Sequence, residues 1–91
     1  MPANRKTEQR TTEENAWMVL SIFKQQRIQP EGLLLWSGLQ QYYWAKAGGN
    51  AGFAEGTQWL LDEGYLEQRK AIRQAFYLTR AGYDAMVDLD E

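Results

Sequence analysis

The apolar pattern of this chain changes period once, at Gly64, and that switch constrains the fold more than any other feature. Upstream of it, apolar residues recur at the spacing of a helix face. Ala16, Leu20 and Phe23 share one face with Val19 beside them, which predicts a helix from about 12 to 27. Phe53, Thr57, Leu60 and Leu61 make a second stripe, and Gly64 stops it. Downstream, Tyr65-Leu66-Glu67-Gln68-Arg69 and Gln74-Ala75-Phe76-Tyr77-Leu78 are rich in strand-favouring residues and alternate with a period of two. They predict a hairpin.

The boundaries follow from local chemistry. Thr11 and Glu14 have the spacing of a capping box, in which each side chain satisfies a free amide at the helix start. Gln29-Pro30-Glu31-Gly32 breaks the first helix, and Leu33 to Lys46 reads as a second one ending at Gly48-Gly49. Its beginning is open to two readings. Gly32 to Trp36 also fits a short strand, because Ser37 and Gln40 repeat the capping-box spacing. Gly48-Gly49-Asn50 predicts a tight turn with Asn50 capping the third helix. The connection from Lys70 to Arg73 holds no Gly, Asn or Pro, so a loop longer than a two-residue primed turn is expected. Thr79 caps a last helix from about 80 to 88.

With 91 residues there is room for one domain. Residues 1–11 read as a flexible basic arm, 12–88 as the domain and 89–91 as an acidic tail. The chain contains no His and no Cys, which excludes imidazole or thiolate metal sites, disulfides and cysteine nucleophiles. A non-enzymatic protein without cofactor or metal is the expectation. Net charge is −2, so any attraction to nucleic acid must be local. No apolar run reaches the ~20 residues of a membrane span, and the first residues lack a secretory core, which makes no membrane and a cytoplasmic location the default.

Helix, helix, helix, hairpin, helix is the element order of an α+β, mostly helical winged helix-turn-helix domain. The stretch Phe53-Ala54-Glu55-Gly56-Thr57-Gln58-Trp59-Leu60-Leu61-Asp62-Glu63-Gly64-Tyr65-Leu66 resembles the third helix and first wing strand of that superfamily. Tyr77-Leu78-Thr79-Arg80-Ala81-Gly82 resembles the strand-to-helix junction of its MarR-like and PadR-like regulators. The resemblance implies three helices, a two-stranded wing and a C-terminal helix. It also implies double-stranded DNA as partner, with the third helix in the major groove and the wing on phosphates.

The residues support these roles unevenly. With Phe53, Thr57 and Leu60 inside, the outward face of the third helix is Ala51, Glu55, Gln58, Trp59 and Asp62. That face is acidic, and Asn50 and Gln58 are its base-reading candidates. Between residues 65 and 80, Arg69, Lys70, Arg73 and Arg80 stand against Glu67, a local charge of +3. Arg5, Lys6 and Arg10 against Glu8 add +2 from the arm. Wing and arm together offer up to about six phosphate contacts per subunit. Trp17, Met18 and Ile22 do not fit the first helix's core face, which points to a homodimer through the first and last helices. Tyr42-Tyr43-Trp44 span too much helix arc to share one core, and Tyr43, Trp44 and Trp59 are candidate partner contacts. Two functions follow: a small DNA-binding transcription regulator, or a winged-helix module that binds a protein instead.

Overall fold

The computed structural model describes residues 11–89. Their order is helix α1 (Thr12–Gln25), strand β1 (Leu33–Leu35), helices α2 (Trp36–Ala47) and α3 (Phe53–Asp62), strands β2 (Leu66–Arg69) and β3 (Ile72–Leu78), and helix α4 (Arg80–Val87). Among the described residues the protein is thus α+β, with four helices and one three-stranded antiparallel sheet in the order β1-β3-β2. The two-stranded expectation misses one strand. Leu33, Leu34 and Leu35 pair with Tyr77, Phe76 and Ala75, so backbone pairing settles the ambiguous stretch as β1. Consequently α2 begins later, after Leu35, and the Ser37–Gln40 capping box gives way to a start without any side-chain cap.

Helix α1 is the centre of the packing. Its capping box is present: the Glu14 amide donates to Thr11 Oγ1 at 3.0 Å and the Thr11 amide to Glu14 Oε1 at 2.8 Å. Ala16, Val19, Leu20, Ile22 and Phe23 are all buried, and α1 touches α2, α3 and α4. Three-sided contact explains the helix's apolar surplus. Each fully buried side chain of this kind contributes roughly 1.5–3 kcal/mol relative to exposure. The close approach of α1 to α3 depends on Gly56, where a Cβ would stand 2.9 Å from both the Ala16 amide nitrogen and the Asn15 carbonyl carbon.

The turn between α2 and α3 is built by glycines. Gly48 is left-handed at φ 79° and its amide donates to the Trp44 carbonyl at 2.8 Å, a conformation that Gly adopts without a Cβ penalty. Gly52, also left-handed, stands at the α3 N-cap, so Asn50 is not the cap expected of it. Asn50 instead supplies its backbone carbonyl to the Phe53 amide at 3.0 Å.

The hairpin differs from expectation as well. Lys70 and Ala71 alone connect its strands, and neither takes a positive φ. An unprimed turn splays the strands it joins, and the irregularity falls in the ladder instead of the loop: Glu67 pairs with Tyr77, but Arg69 pairs with Ile72. Central strand β3 is buried from Ala75 to Leu78. At its end Thr79 Oγ1 accepts from the Gly82 amide at 2.9 Å to start α4, while its hydroxyl donates to the Gly64 carbonyl at 2.7 Å. Leu89, the first residue of the expected acidic tail, packs against the core.

Candidate nucleic-acid interface

The hairpin tip gathers Gln68, Arg69, Lys70 and Arg73 around one surface depression. Its three cations have different freedom. Arg69 pairs with Glu31 and, at 3.1 Å, with Glu67, and its guanidinium lies over the Tyr77 ring. Hydrogen bonds to Glu31 first, and to Glu67 second, raise the guanidinium above its ordinary pKa. Glu31 has a left-handed backbone conformation at φ 73°, which is costly for a residue with a Cβ, and its amide donates to the Leu78 carbonyl at 2.7 Å. Arg80 pairs with Asp84 at 3.3 Å. The hairpin region's nominal +3 therefore reduces to Lys70 and Arg73, which are exposed and have no carboxylate partner among the described residues. Arg5, Lys6 and Arg10 lie outside the described residues.

On α3, Phe53, Thr57 and Leu60 face inward as the stripe requires, and Glu55, Gln58 and Asp62 are exposed. Gln58 Nε2 donates to Asp62 Oδ1 at 2.9 Å, so this base-reading candidate is engaged along its own helix. Thr12, Glu55, Gln58, Trp59 and Asp62 line a second depression. Asn50 is exposed but borders a third, with Gln40, Gln41, Trp44 and Ala45. The two base-reading candidates are thus not brought to a common depression.

The candidate partner contacts divide sharply. Ile22 is 1% exposed and Tyr43 is fully buried, its hydroxyl donating to the Ala51 carbonyl at 2.7 Å, so neither is available to a partner. Trp17 and Met18 are half-buried and packed against the core. Trp17 meets Trp59 at 5.4 Å between ring centroids, and both meet Tyr65 at 6.1 Å. These aromatics cover one another, so Trp17 and Trp59 find contacts within the chain. Trp44 is the exception at 57% exposed.

Sequence reasoning missed Glu31, Gln68, Gln40 and Gln41. Glu31 is 38 residues from Arg69 and carried no local signal. The spacing of Gln40 and Trp44 by one helical turn was legible, and it marks a shared border of α2. Among the described residues no group of three or more His, Cys, Asp or Glu is placed to hold a metal, and no helix is long and apolar enough to cross a membrane. No family model, curated protein or solved structure matches the chain.

Proposed function

We propose that the chain is a winged-helix DNA-binding module, a small transcription regulator that engages duplex DNA chiefly through phosphate contacts at its hairpin tip. The observation that carries this reading is the hairpin depression, where Lys70 and Arg73 stand beside Gln68 without acidic partners among the described residues. Further support comes from the element order, helix-strand-helix-helix-strand-strand-helix, with the hairpin directly after α3. Phosphate contacts orient a protein on the duplex and carry little sequence information. The acidic α3 face fits such a backbone-led mode better than one in which α3 reads bases. The test is a gel shift of a random duplex at ~50 mM salt, where weak non-specific binders show themselves. Lys70→Ala with Arg73→Ala should weaken binding to all sequences alike, and equal binding by wild type and variant would remove the wing from the mechanism.

One observation favours a second reading, a protein-interaction module. Glu55 and Asp62 are exposed on the helix that would approach phosphates, and like charges are repelled there. A basic protein surface would meet the same face favourably. Failure of the random duplex to bind would transfer the assignment to this reading.

A further inference from the structure

The most exposed large apolar side chain among the described residues is Trp44, on the C-terminal half of α2. Its position follows from helix geometry. Leu39 and Tyr43 turn into the core, and the next residue is carried about 100° round the helix. The depression it borders is completed, among the described residues, by Gln40, Gln41, Ala45 and Asn50, none of which is ionisable. The depression thus sets one exposed indole among three carboxamides and a small apolar residue. Each carboxamide offers two donors and an acceptor. The indole offers a face on which any base can stack.

We propose that this depression binds an unstacked nucleobase, with Trp44 stacking on the ring and the carboxamides of Gln40, Gln41 and Asn50 reading its edge. Asn and Gln pair bidentately with adenine, whose edge places a donor next to an acceptor, so adenine is the favoured base. The lack of charge suits a neutral heterocycle and gives no attraction to a bare ion. One bond ties the two halves of the site, Tyr43 hydroxyl to Ala51 carbonyl at 2.7 Å, while the Gly48 amide to Trp44 carbonyl at 2.8 Å and the Phe53 amide to Asn50 carbonyl at 3.0 Å shape the turn on either side of it. The backbone at Asn50 is thereby held near the end of α2, so less chain entropy is lost on binding. None of these residues belongs to the hairpin tip, and the inference does not rest on the wing contacting phosphate.

Two ligands present this chemistry, a free nucleoside and an unpaired base in a single strand. Both are titrated, as adenosine and as a short deoxyadenosine oligomer, while the indole and side-chain amide resonances are followed by NMR. The chain has four Trp, and the resonance lost in Trp44→Phe identifies the one that matters. The expected result is a shift of the Trp44 indole and of the Gln40, Gln41 and Asn50 amides, with the Trp17 and Trp59 indoles unmoved. Tighter binding of the oligomer than of adenosine assigns a strand as the natural source, and equal binding assigns the nucleoside; either supports the site. Trp44→Ala should weaken binding roughly tenfold, from the loss of one stacked base, and Trp44→Phe should retain most of it. Unmoved indoles at Trp17, Trp36 and Trp59 in the variant establish that it is folded. Lys70→Ala with Arg73→Ala should leave adenosine binding unchanged, which separates this site from the wing. A silent Trp44 resonance with both ligands, or wild-type affinity in Trp44→Ala, would overturn the proposal.

Discussion

Arg69 lies over the ring of Tyr77, its guanidinium carbon 4.1 Å from the ring centroid, and joins strand β2 to strand β3 in doing so. Glu31 and Glu67 complete the contact. An arginine with three partners is a fastening within the sheet, in contrast to Lys70 and Arg73 beside it. Arg69→Ala should therefore loosen the hairpin, seen as faster amide exchange in β2, while the salt dependence of DNA binding stays near that of wild type. Lys70→Ala with Arg73→Ala should do the reverse, leaving exchange unaltered and flattening the salt dependence. An Arg69 variant that flattens the salt slope as much as the double change would make Arg69 a phosphate contact after all.

Tyr43→Phe removes the hydroxyl that donates to the Ala51 carbonyl at 2.7 Å and also lies 3.3 Å from Asn15 Oδ1, the shorter contact being the principal bond. Loss of one such hydrogen bond costs about 1 kcal/mol. Because the ring itself is kept, with its edge contact to Phe53 at 5.2 Å, the apolar packing should survive. Urea unfolding should show a lower midpoint with an unchanged slope. A loss of several kcal/mol would mean that the ring had shifted.

At Gly56 two effects oppose each other. Alanine is better than glycine inside a helix by about 1 kcal/mol. The added methyl, however, would meet α1 backbone 2.9 Å away, and overpacking against atoms that cannot turn aside costs typically 1–3 kcal/mol. Steric cost should win, so Gly56→Ala lowers the melting temperature, by about 5 °C for each kcal/mol lost in a domain of this size. A rise in melting temperature would show that α1 and α3 can separate without penalty.

Glu55→Gln with Asp62→Asn removes two carboxylates from the exposed face of α3 and leaves size nearly unchanged. Where α3 approaches the duplex, non-specific affinity should rise, most at low salt where screening is weakest. Anisotropy with a random duplex measures this. An unchanged affinity would place α3 away from DNA.

Much of this fold was legible because its signals are local. The Thr11–Glu14 box, the stripe through Phe53, Thr57 and Leu60, and the Thr79 cap each depend on residues within a turn or two. Three consecutive leucines at 33–35 have no period, so their conformation was decided by β3, more than 35 residues along the chain. The two-residue turn at Lys70-Ala71 was hidden because the strands absorb its misfit as a break in register. Charge counting exposed the basic hairpin but overcounted it, since Glu31 and Asp84 draw Arg69 and Arg80 away. Likewise Trp17 and Trp59 looked like partner contacts because their mutual packing exists only in three dimensions.

The central claim is that the hairpin tip meets phosphate. Its most direct measurement is the affinity of the full chain for a random duplex, by fluorescence anisotropy, as a function of salt. Two free cations at the tip release about two counterions, so log affinity should fall against log salt with a slope of about −2 from the hairpin alone, steeper where Arg5, Lys6 and Arg10 contribute. Lys70→Ala with Arg73→Ala should remove that share. Absence of binding at ~50 mM salt, or a slope that the double change leaves intact, would contradict the account.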